Sequence, residues 1–195
     1  MAPRGSRIGV AISGGADSVV LLHLLAQLRE KNPFALVALH VNHQLRGSES
    51  EDDELFVREL TRSLDVPLRV EHCHSAARRG NLEQSAREDR RAFFLSALRE
   101  EGLDRVATGH SLSDQAETVL FRLLRGAGLA GLAGMRPVTA DGFVRPLLFF
   151  TREEIRAHAT INGFVWREDS SNTNVQFRRN RLRREIIPRL IGEFN

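Results

Sequence analysis

The stretch that most constrains this chain is Ser13-Gly14-Gly15-Ala16-Asp17-Ser18, set between an apolar run, Arg7 to Ile12, and a helical pattern from Val19 to Leu28. The run before it reads as a buried parallel strand. After it, apolar residues recur at helical spacing at Val19, Leu22, Leu25 and Ala26. Strand, glycine loop and helix in that order aim backbone N–H groups and a helix N-terminus at an anion. Gly14 and Gly15 let the backbone approach a phosphate with no Cβ in the way. Ser13 and Ser18 add hydroxyl donors, and Asp17 is placed to hold a metal ion riding on the phosphates. No lysine follows the glycines, and the G-x-G-x-x-G spacing is absent, so the loop is neither a Walker A motif nor a dinucleotide fingerprint. The bland alternative is a glycine turn between a strand and a helix in any α/β domain.

With 195 residues the chain accommodates one α/β domain and a short extension. Cys73 is its one cysteine, which excludes intrachain disulfides and any C-x-x-C cluster. No apolar run approaches the ~20 residues of a membrane span, and no signal-peptide pattern follows Arg4. These features point to a soluble cytoplasmic protein with no membrane partner. A net charge of +3 is modest, so the placement of the arginines carries more information than their number.

A second strand spans Ala35 to His43. In open parallel sheets ligands lie at the carboxyl ends of strands, which sets His40, Asn42 and His43 near the rim of the glycine loop. Zinc on His40 and His43 would need further ligands, and Cys73 with His72 and His74 has no standard spacing. The histidines therefore read as nucleotide-site or strand-end residues. A third strand follows at Pro67 to Glu71, then a long helix from about Leu82 to Glu101. Arg87 and Arg90 share one face of that helix and can meet an anionic substrate together. Arg91 reads as part of a salt-laced exposed face.

Arg105 to His110 is the fourth strand and its exit, and a helix runs from about Ser113 to Leu124 with Ser113 as N-cap. Asp114 and Glu117 lie on one side of it. Asp114, at the carboxyl end of a strand, is placed to share a magnesium ion with Asp17, because magnesium is commonly held by one or two carboxylates plus substrate phosphates. Acidic residues in a first turn are also simply favoured by the helix dipole. Arg125 to Met135 is a glycine-rich loop near the rim. Phe143 to Phe150 is the last strand, interrupted by Pro146, which demotes it to an edge or a short strand. Thr151-Arg152-Glu153-Glu154 is a capping box, and Asn162-Gly163 ends its helix. Beyond Trp166 a polar run leads to Arg178, Arg179, Arg181, Arg183 and Arg184, a footprint for RNA phosphates or a solvated helix face.

Together these residues resemble the tRNA-isoleucine lysidine synthetases of the ATP pyrophosphatase (PP-loop) superfamily, over nearly the whole chain. The marks are Ser13 to Ser18; His40-Val41-Asn42-His43 with Leu45-Arg46; Ala86-Arg87 with Arg90; and Thr108-Gly109-His110 with Asp114 to Thr118. Further marks are Arg125-Gly126-Ala127-Gly128 through Met135, Arg145-Pro146-Leu147, and Glu168 to Asn172 with Arg179-Asn180-Arg181. Ser111, Ser113 and Arg91 depart from the family pattern, which often has a second histidine, a first aspartate and an aromatic there.

The resemblance implies an α/β fold with a doubly wound parallel sheet, adenine nucleotide alpha hydrolase-like, and a short helical C-terminal extension. Residues 1–150 would be the ATP-binding catalytic domain and 151–195 the basic extension contacting tRNA. It implies ATP and Mg2+, free L-lysine, and an isoleucine tRNA with a CAU anticodon, whose wobble cytidine becomes lysidine through an adenylated intermediate. On this basis Asp17, Asp114 and Arg87 are the expected catalytic residues, with Asp17 and Asp114 also the metal ligands. Ser13 to Ser18, His40, Asn42 and His110 would bind ATP, and Arg178, Arg179, Arg181, Arg183 and Arg184 would bind tRNA. A homodimer is left open. Many family members continue into further domains, so the chain reads as a short version or as a catalytic fragment.

Other classes remain in view. A thiolase of the superfamily generally needs cysteines that this chain lacks. Amidating members explain the loop but not the arginine-rich end. A non-catalytic ATP-binding regulatory module would bind nucleotide and be indifferent to Asp114.

Overall fold

A computed structural model describes residues 5–44, 47–73, 82–168 and 181–194. The apolar run before the loop forms β1 (Arg7–Ala11), and α1 (Ala16–Lys31) starts inside the loop itself. There follow β2 (Ala35–Asn42), α2 (Ser48–Ser63), β3 (Leu68–His72), α3 (Leu82–Glu100) and β4 (Arg105–Ala107). The second half holds α4 (Leu112–Leu124), a single turn α5 (Leu129–Leu132), β5 (Phe143–Val144) and α6 (Arg152–Ile161). A π-helical segment, Leu182–Ile186, runs into α7 (Ile187–Phe194). Within it the Ile187 N–H reaches back to the Leu182 carbonyl. Pro188 has no N–H to continue an α-helical ladder, and a widened turn just before it absorbs the missing bond.

The strands form one parallel sheet in the order β3-β2-β1-β4-β5. Chain order reverses between β1 and β4, and that switch point is where an open α/β sheet leaves a ligand crevice. Helices cover both faces, as a parallel sheet requires. On one face α1 packs with Val57 of α2 and with Ile155 and Ala159 of α6. On the other, Phe93, Phe94 and Ala97 of α3 cover Leu39, Val106 and Phe143. Helix α1 buries Val19, Val20, Leu21, Leu22, Leu25 and Ala26 because it lies between the sheet and α6. The doubly wound expectation holds, and α6 shares the main core.

Two local expectations are corrected. The last strand is only Phe143–Val144, because the chain turns from Arg145 to Phe150 through short backbone bonds around Pro146. Helix α4 is capped by Ser111 instead of Ser113. The Ser111 hydroxyl accepts from the Asp114 N–H, and the Asp114 carboxylate accepts from the Ser111 N–H, a reciprocal box.

Where β2 and β3 end, Glu54 of α2 ties them together. Its carboxylate accepts from Asn42 Nδ2 at 2.9 Å, bonds His72 Nε2 at 2.8 Å and pairs with Arg58 at 2.7 Å. Burial alone pushes this carboxyl up, but the hydrogen bonds from Asn42, Arg58 and His72 more than reverse that, from 4.5 to about 2. A carboxyl depressed on folding stabilises the folded state above its unfolded value and loses that contribution as pH falls through the folded one. Glu54→Gln is therefore expected to cost about 1–3 kcal/mol at neutral pH. In urea melts the gap to the parent should close as pH falls from about 4.5 to about 2.

Candidate active site

The glycine loop sits at the carboxyl end of β1, at the switch point. Gly14 has φ +90°, a left-handed conformation that favours glycine. Gly15 is the N-cap of α1, and no side chain caps that helix, so its first turn is open to an anion. The Ser18 hydroxyl donates to the Gly15 carbonyl at 2.9 Å and accepts from the Ser13 N–H at 3.2 Å, and the two serine hydroxyls lie 3.2 Å apart. These bonds fix the loop around the start of the helix. Gly109, just past β4, closes in from the side. A Cβ there would stand 3.1–3.2 Å from backbone atoms of Asp17 and Ser18, so only a glycine lets the β4 exit touch the first turn of α1 without displacement.

Next to the loop lies a cluster of charge that joins distant parts of the chain. Arg152, the first residue of α6, places its guanidinium 2.7 Å from Asp114, 3.2 Å from Glu117 and 3.8 Å from Asp17. Arg183, from the arginine-rich end, meets Glu117 with two nitrogens, at 2.6 and 3.1 Å, and lies 3.8 Å from Asp114. Glu117 is 1% exposed. Burial pushes the Asp17 carboxyl up to about 6, with Arg152 pulling down and Asp114 pushing up. Asp17 Oδ1 is buried and has no hydrogen-bond partner. Asp114 is partly buried, which alone would raise its carboxyl, yet the Ser111 N–H, Arg152 and His110 hold it below the usual range.

Asp17 and Asp114 are thus brought together as expected, with Arg152 spanning them. Among the other expected residues, His40 is buried and its Nδ1 donates to the Ile12 carbonyl at 2.8 Å. Burial lowers the His40 pKa, so the ring is neutral at neutral pH, with its lone pair on Nε2. His110 Nδ1 lies 2.9 Å from the Thr108 hydroxyl. Asn42 is occupied structurally: its amide donates to Glu54 and to the Ser50 carbonyl, and its oxygen accepts from the Gln44 N–H. Arg87 is exposed on α3. Arg181 and Arg184 are exposed, with Arg181 paired to Glu185, while Arg183 turns inward. Arg178 and Arg179 lie outside the described residues.

In the sequence Arg152 stands only as part of a capping box, and that box is present. A cation in the first turn of a helix opposes the dipole. That local inconsistency is the signal that could have marked Arg152 as held by something stronger. The donor set also suits magnesium. Asp17 Oδ1 offers a hard oxygen with no competing hydrogen bond, of the kind magnesium takes alongside phosphate oxygens. Both oxygens of Asp114 are engaged in this structure, by Ser111 and by Arg152.

A loop of this form at such a switch point defines a nucleotide-binding α/β domain. A family model described as a PP-loop domain matches residues 2–190, and the chain belongs to that family. It is 48% identical over 191 residues to the tRNA(Ile)-lysidine synthase of Solibacter usitatus, covering 98% of this chain and 42% of that protein. To the enzyme of the same name from Pseudomonas aeruginosa it is 48% identical over 189 residues, covering 95% and 42%. For Chlorobaculum tepidum the figures are 42% over 188 residues, 94% and 56%. The chain thus spans about half or less of the length of these relatives. Among solved structures, a tRNA thiolase from Methanococcus maripaludis superposes with a TM-score of 0.79 at 18% identity, over 98% of this chain and 67% of that one. That likeness is one of fold.

The Glu117–Arg183 pair is expected to anchor the C-terminal helix, and a double-mutant cycle measures it. Glu117→Gln alone should cost about 2–3 kcal/mol by leaving two partly buried guanidiniums short of an acceptor. Arg183→Ala should cost clearly less in the Glu117→Gln background than in the parent, in urea melts. Additive costs would show that the pair does not hold that helix.

Proposed function

We propose that this chain carries the catalytic part of a tRNA(Ile)-lysidine synthase. In this reading ATP adenylates the C2 oxygen of the wobble cytidine in an isoleucine tRNA with a CAU anticodon, and pyrophosphate leaves. The neutral ε-amine of free lysine then attacks C2. The C2–O bond breaks, AMP departs with its electron pair, and the amine gives up a proton. The observation that supports this best is the β1–β4 switch point, where an uncapped helix N-terminus adjoins partly buried carboxylates. Relatives 39–48% identical over nearly the whole chain bear that name.

The loop's N–H groups and the Ser13 and Ser18 hydroxyls would hold the phosphates. Their donors stabilise charge as it builds on the departing pyrophosphate. Magnesium, held by Asp17 with Asp114 beside it, would neutralise phosphate charge when bound. His40 and His110 line the nucleotide side. Asp114 keeps Arg152 in place, and an ionised carboxylate of the cluster takes the lysine proton, since only the neutral amine attacks. Arg87 meets the substrate or developing negative charge from α3. Arg178, Arg179, Arg181 and Arg184 grip tRNA phosphates, with Arg183 as their anchor to the crevice. Residues 1–150 and 151–195 divide this work by role, since α6 shares the main core. A tRNA-modifying enzyme of this kind acts in the cytoplasm, and no helix among the described residues is long and apolar enough to cross a membrane.

The test is incorporation of labelled lysine into unmodified isoleucine tRNA with ATP and magnesium, beside methionine tRNA carrying the same anticodon. Incorporation into the first only is expected, falling at least ~100-fold with Asp17→Asn. Pyrophosphate release that depends on tRNA, without incorporation, would restrict this chain to the adenylation half. ATP binding with neither activity would overturn the reading in favour of a nucleotide-binding module.

A further inference from the structure

Strand parity sorts the residues at the ends of β2 and β3. Asn42 pairs with His72 across the two strands, and both side chains reach Glu54 on α2. Side chains alternate along a strand, so the next residues, His43 and Cys73, are directed to the opposite face, where α3 packs. The Cys73 N–H donates to the Asn42 carbonyl at 2.9 Å, which holds the two exits side by side. On α3, Asp89 completes a cluster: one ligand atom each from His43, Cys73 and Asp89 lie within 4.8 Å of one another, all partly buried.

We propose that His43, Cys73 and Asp89 form a binding site for a thiophilic divalent cation, zinc above all, on the α3 side of the β2–β3 rim. An imidazole nitrogen, a thiolate and a carboxylate oxygen are the ligand types zinc takes. Three protein ligands leave a fourth position for water or an incoming group. Ligand atoms in a tetrahedral zinc site stand about 3.3–3.7 Å apart, so small side-chain rotations close the cluster on an ion. A thiolate and a carboxylate together neutralise the ion, and the neighbouring Arg90 guanidinium, which acts on His43, opposes it only in part. His40 and His72 stay outside, engaged by Ile12 and Glu54. With Cys73 as the one cysteine, a cluster ligated by several cysteines is excluded. The ion would pin the start of α3, the helix carrying Arg87, to the rim of the sheet. It is separate from the magnesium expected at Asp17, which takes hard oxygen ligands.

Cobalt(II) titrated into the reduced, metal-stripped protein tests this by absorption. One equivalent is expected to raise a sulfur-to-cobalt charge-transfer band and the visible bands of tetrahedral cobalt. Zinc should displace it and magnesium should not. Cys73→Ser should abolish the charge-transfer band, and His43→Ala and Asp89→Asn should each weaken binding at least ~10-fold. Asp17→Asn should leave the titration unchanged, with circular dichroism confirming that each variant is folded. No charge-transfer band in the parent, or a titration indifferent to both His43→Ala and Asp89→Asn, would overturn the site.

Discussion

A buried carboxylate between two guanidiniums holds the two ends of this fold together. Glu117 is almost fully enclosed and takes Arg183 through two nitrogens and Arg152 through a third. Such a cluster gains little stability over an apolar core of the same shape, because removing the charges from water costs about as much as their attraction returns. Its value is in specifying geometry. Arg152 begins α6, Arg183 lies in the π-helical segment before α7, and Glu117 belongs to α4. Arg152 reaches both α4 carboxylates and Arg183 adds the second guanidinium on Glu117, so full pairing of that buried carboxylate requires all three elements beside the β1–β4 switch point.

The same cluster leaves an imbalance at the loop. Three carboxylates, Asp17, Asp114 and Glu117, share two guanidiniums. Glu117 and Asp114 take the close contacts, and Asp17 is left with Arg152 at 3.8 Å and a buried oxygen that bonds to nothing. Burial then raises the Asp17 carboxyl to about 6. The deficit that raises it is one of positive charge, since desolvation and Asp114 outweigh the pull of Arg152. The loop beside it gathers N–H groups toward an anion, so a cation arriving with phosphates meets the deficits of both.

The parallel sheet was legible because β1 and β2 are apolar runs and a glycine loop joins the first of them to a helix; the strand order β3-β2-β1-β4-β5 comes from the structure. The loop was legible because no other local sequence places two glycines and an acid between a buried strand and a buried helix. Contacts that cross the chain were not. The Ser13–Ser18 and Asp114 motifs are local, whereas Arg152 reaches Asp17, Asp114 and Glu117 from far along the chain. Ser111 was passed over as a cap for a nearer reason: two serines and an aspartate in four positions offer two caps, and burial of Ser111 decides between them. Within the arginine-rich end, charge density says nothing of direction. Arg183 turns in while Arg181 and Arg184 stay out.

Strand parity explains why the rim of β2 and β3 divides as it does, and why spacing in the sequence hides it. His40, Asn42 and His43 form one polar group along the chain and His72 with Cys73 another, and both fall at the same rim of the sheet. Alternation separates them: Asn42 and His72 join Glu54 on the α2 side, and His43 and Cys73 meet Asp89 on the α3 side. A metal-ligand pattern is easy to see when its members share one helix or hairpin. Here two ligands come from neighbouring strand ends and the third from a helix that packs over them, so only the sheet register brings them into one place. Both amide hydrogens of Asn42 are spent on Ser50 and Glu54, and its oxygen takes the Gln44 N–H with one acceptor position remaining. Its part in the crevice is to hold the end of β2 at the height where His40, one turn of the pleat earlier, can lock onto Ile12 at the entrance to the loop.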